Sequence, residues 1–225
     1  MYERSWQQAQ HPALAQIRGY WEGLRSEDEL PSRSMIDPRG LERALEHAFI
    51  AERVSPGVAR LRLAGMHLND LLGMEVRGMP LTALFAPDAR EAASAAVERA
   101  FAEKTPVELC LDGEHGVGRP PMTAVMLLLP LRNEFGQVDR ILGGMAAEGE
   151  IGRPPRRFLL ADQRTLQMTG PAALAAPAVA PAVLEGGLEG GLQGGLAEAP
   201  ARFDAEPDAP APRKRGHLRL VHSAD

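Results

Sequence analysis

The residues of this 225-residue chain best equipped for chemistry are six histidines and a single cysteine, Cys110. No histidine or carboxylate cluster has metal-ligand spacing, and no Ser-His-Asp set can be assembled from the linear order. His67 stands at the start of a run of short apolar segments and His115 stands in a turn; both read as surface or capping histidines. Cys110 lies between Leu109 and Leu111 in a strand pattern, where a thiol is packed and inert. One cysteine also excludes an intrachain disulfide framework and a multi-cysteine metal site. "GEHGVG" lacks the spacing of a dinucleotide fingerprint and joins two strands without opening a helix, so it reads as a hairpin turn with Asp112 and Glu114 as solvated acids beside it. The chain is not expected to be an enzyme.

Charge narrows the partners. Residues 1–150 carry 16 Lys/Arg against 22 Asp/Glu, a net of -6, and residues 151–225 carry 9 against 8, a net of +1. An acidic folded part argues against a nucleic-acid groove, which needs clustered positive charge. The N-terminus lacks an apolar signal core. The longest apolar run, "MTAVMLLLPL", is too short to span a bilayer. These features, with one cysteine, suit a cytoplasmic protein.

The elements that must position any site follow from periodicity. Leu14, Ile17, Trp21 and Leu24 form a helical stripe in "PALAQIRGYWEGL". Asp37 as N-cap and Pro38 at the first helical position open a second helical segment. His47 to Val54 reads as a strand, Pro56 and Gly57 supply a type II turn, and Val58 to Ala64 returns with Leu61 and Leu63 on one side and Arg60 and Arg62 on the other. Asp88 and Glu91 resemble a capping box opening a helix through about Lys104. Three strands follow, at about 106–112, 121–132 and 137–147. In "TAVMLLLPL" both alternating sets are apolar, which requires cover on both faces: short helices on one side, and on the other the N-terminal amphipathic helix or a second subunit. The expected fold is α+β, a five-stranded antiparallel sheet with helices on one face and an N-terminal amphipathic helix. Residues 1–11 are read as a disordered N-terminus, 12–150 as the domain, and 151–225 as a Pro/Gly/Ala-rich disordered tail. The six glycines of "LEGGLEGGLQGGL" each cost a helix about 1 kcal/mol, so its leucine spacing does not make a helix.

The stretch "RLRLAGMHLNDLLGMEVRGMPLTALF" ends a strand, passes through a small helix and an "LLG" turn, and closes on Leu-Phe. Together with the element order it resembles a PAS domain over about residues 12–148. The lead-in "LPSRSMIDPRGLERAL" resembles that of small stand-alone alphaproteobacterial PAS proteins without an attached output domain. The resemblance implies a sensory or protein-interaction module in signal transduction, often a homodimer and ordinarily not an enzyme. Nothing resembling an output domain is read in the tail.

Family chemistry does not carry over residue by residue. Haem-binding members use a histidine on the longer helix, and "DAREAASAAVERAFAEK" has none. Flavin photosensors use a cysteine in an "NCRFLQ"-like stretch, and nothing similar occurs. The cofactor is therefore left unknown, with haem and flavin photochemistry argued against. Met66, Leu71, Leu72, Leu84, Phe85, Val97, Phe101, Met126 and Leu128 are the candidate lining of a cavity for a small apolar ligand; a fully packed core is the alternative. Arg33 and Asp37 are a candidate structural clamp docking the N-terminal helices to the sheet. Arg213, Lys214, Arg215, Leu218 and Leu220 are a candidate docking peptide for a protein partner. Two functions compete: a sensor gated by a small apolar ligand, and a ligand-free adaptor for signalling proteins.

Overall fold

The computed structural model describes residues 11–26 and 29–168. The chain enters through α1 (Pro12–Gly23), whose Pro12 opens the helix and whose first turn is capped by His11, its Nδ1 accepting from the Ala13 N–H at 3.3 Å. Leu14, Ile17 and Trp21 are buried, as the stripe requires. Two single-turn 3-10 segments follow, Arg33–Met35 and Pro38–Leu41. Asp37 does cap the second, Oδ1 accepting from the Arg39 N–H at 2.9 Å, but the helix it starts is only one turn long.

β1 (Ala48–Ser55) and β2 (Val58–Ala64) form a hairpin whose turn uses Gly57 at φ +71°. α2 (Met66–Leu72) ends on Gly73 in the left-handed region, the usual place for a residue without a Cβ. Short 3-10 turns at Leu81–Leu84 and Pro87–Ala89 lead into α3 (Arg90–Ala102). The expected capping box does not form. Asp88 is taken into the preceding 3-10 turn, and α3 starts after Ala89 with no side-chain cap.

β3 (Val107–Gly113), β4 (Thr123–Arg132) and β5 (Val138–Glu148) fall within two residues of the expected strands. The sheet has a sixth strand, β6 (Phe158–Thr165), where the sequence reading began a disordered tail at residue 151. β6 pairs antiparallel with β3, and the sheet order is β2-β1-β5-β4-β3-β6. The segment leading into β6 is held by Arg156, which is 0% exposed. Its guanidinium donates to the carbonyls of Ile151 and Pro120, each at 2.7 Å, and of Glu150 at 3.1 Å. Five donors on one planar group suit it to such a carbonyl cage. Phe158 then enters the core, and its carbonyl accepts from the Ala86 N–H. Arg164 of β6 pairs with the buried Glu108 of β3 at 2.5 Å. Burial pushes the Glu108 carboxyl above its ordinary range, and the hydrogen bond from Arg164 works against that rise.

Both faces of the sheet are covered, as the doubly apolar β4 demands. Ala124, Met126 and Leu128 join Phe49, Leu61, Val97, Phe101 and Phe158 in one cluster under α2, α3 and the short turns. Val125, Leu127 and Leu129 join Leu14, Ile17, Trp21, Ile50 and Leu142 in a second cluster under α1. Trp21 also donates from Nε1 to the Pro130 carbonyl at 3.0 Å, satisfying its one polar atom in the core.

Candidate ligand groove

The fold brings the expected cavity residues together, but it packs them. Leu71, Leu72, Leu84, Phe85, Val97, Phe101, Met126 and Leu128 all lie in the first cluster, none more than 4% exposed. Met66 departs from them; at 63% exposure it stands at the edge of a different hollow.

That hollow is an apolar groove of about 390 Å³ between the lead-in turns and the β1–β2 edge of the sheet. Its floor originates in a β-bulge. Leu61 pairs with Ala51 while Leu63 pairs with Ile50, so Arg62 is an extra residue in β2. A bulge of this kind re-aims the side chains beyond it. Leu61 remains fully buried in the first cluster, whereas Leu63 comes to lie beside Ile50, which belongs to the second. The expectation that Leu61 and Leu63 share a face is thus corrected. On the other side Ile50 pairs with Leu142, and Leu63, Ile50 and Leu142 form one cross-strand row. Ile36, Leu41 and Leu45 supply the wall from the lead-in. Leu45 and Leu63 remain about half exposed, at 47% and 49%, which leaves the groove open to solvent.

The candidate clamp divides into two outcomes. Asp37 meets α1, though through backbone: its N–H donates to the Tyr20 hydroxyl oxygen at 2.8 Å. The same hydroxyl lies within hydrogen-bond reach of the Asp37 and Met35 carbonyls, at 3.2 and 3.3 Å. Arg33 joins no ion pair and makes no side-chain hydrogen bond among the described residues; it lines both the apolar groove and a polar recess with Ser32, Asn133, Glu134, Asp139 and Arg140. The arginine that does dock the lead-in to the sheet is Arg132 of β4. It donates from Nε to the Leu30 carbonyl at 2.8 Å and pairs with Glu29 at 2.7 Å. Hydrogen bonding from Arg132 holds the Glu29 carboxyl below its usual range.

Beside the groove three imidazoles pack together in edge-on and tilted contacts, with interplanar angles of 63° and 54°. The His11 and His47 centroids are 4.9 Å apart and those of His47 and His67 are 4.6 Å apart. His67 is half-buried and accepts at Nε2 from the Ala147 N–H at 3.2 Å, capping β5 where β1 no longer pairs with it. That bond requires Nε2 to be unprotonated. Burial, followed by the neighbouring His47, lowers the His67 pKa to about 4. His47 Nδ1 faces the Met145 carbonyl at 3.0 Å and donates to it. Among the described residues no three His, Cys, Asp or Glu side chains converge as a metal site. His115 is exposed in its turn. Cys110 is buried in the α1-side cluster, and burial pushes its thiol up to about 12, so it stays protonated at neutral pH. Arg213, Lys214, Arg215, Leu218 and Leu220 lie outside the described residues. No helix among the described residues is long and apolar enough to cross a membrane.

A family model described as a PAS domain matches residues 9–146. Among solved structures, one titled "Flavin Analogue Sheds Light on Light-Oxygen-Voltage Domain Mechanism" is similar at 19% identity and a TM-score of 0.40, covering 50% of this chain and 84% of that one. The light state of the blue-light photoreceptor Aureochrome1 LOV is similar at 17% identity and a TM-score of 0.38, covering 50% of this chain and 88% of its own. An RNA-binding light-oxygen-voltage receptor aligns at 21% identity and a TM-score of 0.37, over 55% of this chain and 37% of that chain. No curated protein matches.

Proposed function

This chain belongs to the PAS domain family, and on that premise we propose that it is a non-catalytic, cytoplasmic signal-sensing module of bacterial signal transduction whose output is a change in protein contacts. The observation that carries the reading is the open apolar groove over Leu63, Ile50 and Leu142. Its volume of about 390 Å³ falls in the range of small-molecule sites, roughly 300–1,000 Å³. It adjoins the lead-in that Tyr20 ties to α1, so an occupant touches the segment that covers the sheet. Flavin photochemistry finds no support in the placement of Cys110, which is in β3 on the α1 side of the sheet. The candidate cavity residues support a second reading: Leu71, Val97, Phe101 and Met126 are packed on one another, as suits an adaptor that engages signalling partners without a ligand.

Native mass spectrometry of the freshly purified chain, with its absorption spectrum, separates the two and reports whether the protein is a homodimer. An added mass that is lost when Leu63→Trp fills the groove is the expected result. A chain that stays at its bare mass when incubated with apolar compounds supports the adaptor instead.

A further inference from the structure

Among the described residues two charged ones, Arg33 and Glu46, line the groove, and their situations are opposite. The Glu46 carboxylate faces His47 Nε2 at 3.4 Å. Arg33 has no ion pair or side-chain hydrogen bond among the described residues. The two also mark opposite ends. Arg33 shares its polar recess with Arg140, which pairs with Glu52 of β1. Glu46 lies just before β1 begins at Ala48. The rise of a strand from position 48 to 52 separates these ends by roughly 13 Å. Of the two acids in the recess, Asp139 already pairs with Arg140 at 3.0 Å and accepts from Asn133 at 2.9 Å, and the exposed Glu134 forms no ion pair with Arg33. Arg33 is therefore a cation at one end of an apolar channel that no ion pair compensates among the described residues.

We infer that the groove takes a single-chain amphipathic carboxylate, its apolar chain over Leu63, Ile50 and Leu142 and its carboxylate on the Arg33 guanidinium. A planar guanidinium matches a carboxylate with two parallel N–H donors, and the apolar floor holds a chain through burial alone. This rests on the reading of the groove as a ligand site, and the test separates the two.

Decanoate and decanol, equal in chain length and different in charge, are titrated into the full-length chain and followed by calorimetry. Decanoate is expected to bind at least tenfold more tightly than decanol. Arg33→Gln should remove that advantage and leave decanol unchanged, and Leu63→Trp should abolish both. Equal binding of the two probes, or a preference for decanoate that persists in Arg33→Gln, overturns the carboxylate assignment while the groove remains a ligand site. If neither probe binds, or Leu63→Trp changes nothing, both the inference and the groove reading fail.

Discussion

Gly143 of β5 lies directly opposite Phe49 of β1, and the Phe49 ring occupies the space a Cβ at position 143 would need. The next residue, Gly144, does the same for α1 on the other face, where a Cβ would come within 2.7 Å of Ile17 and 2.9 Å of Leu14. The glycine pair thus makes room on one face for a ring from the neighbouring strand and on the other for α1.

Gly143→Ala should therefore overpack the core and cost about 1–3 kcal/mol. The measurement is the urea midpoint at an unchanged slope. Adding Phe49→Leu to the same chain should recover part of the loss, because the clash is with the ring and not with backbone.

Tyr20, and not Arg33, ties the lead-in to α1. Tyr20→Phe is expected to destabilise by about 1 kcal/mol, since the Asp37 N–H loses its acceptor. Arg33→Ala should stay within about 0.5 kcal/mol of the parent, as surface changes without partners do. A large drop in melting temperature for Arg33→Ala would restore the clamp.

Acid should weaken the fold through His67. Its folded pKa lies at about 4 against an ordinary imidazole value of 6.5, so near pH 5 the unfolded chain binds a proton that the folded one refuses. The corresponding stability is complete above pH 6.5 and is lost as pH falls toward 4. His11, also lowered first by burial and then by His47, adds in the same direction. Glu46 and Asp70 oppose the effect at His67, and Glu148 and Glu46 oppose it at His11. Melting temperatures of the parent should decline over that window, and those of His67→Asn should decline less.

The sixth strand makes chain length a test. Ending the chain at residue 168 should leave its stability unchanged, whereas ending it at 150 removes Phe158 from the core and the Arg164 partner of Glu108. The shorter chain should lose about 3 kcal/mol or more, the scale of one large core truncation. Arg156→Met in the full chain should produce a related effect by leaving the Ile151 and Pro120 carbonyls without their donor. Its signature would be faster amide exchange along β3.

Much of this architecture was legible because it rests on periodicity. The stripe of Leu14, Ile17 and Trp21 marked α1, and the doubly apolar β4 required the two-sided cover that the clusters supply. β6 was missed because "RPPRR" and the Pro/Gly-rich run beyond it dominate the composition; its own cue was the alternation of Phe158 and Leu160. The groove had no comparable cue. Strict alternation puts Leu63 with Leu61, and only the pairing of β2 with β1 shows where Arg62 breaks the count. The histidine cluster was equally hidden, since His11, His47 and His67 lie in three separate parts of the chain. Asp37 was read correctly as a cap because capping is local, whereas the partner of Arg33 was a question about distant chain.

The glycine pair has a mechanical meaning. At Gly143–Gly144 β5 carries no side chain, and its bare peptide is covered by Phe49 of β1 on one face and by Ile17 of α1 on the other. On the α1 face no β5 side chain cushions Ile17 and Leu14 at Gly144, so a displaced α1 meets backbone there. Phe49 also borders the groove. Groove, sheet and α1 therefore meet around this pair, and a push on any of the three has little slack to take up before the others must move.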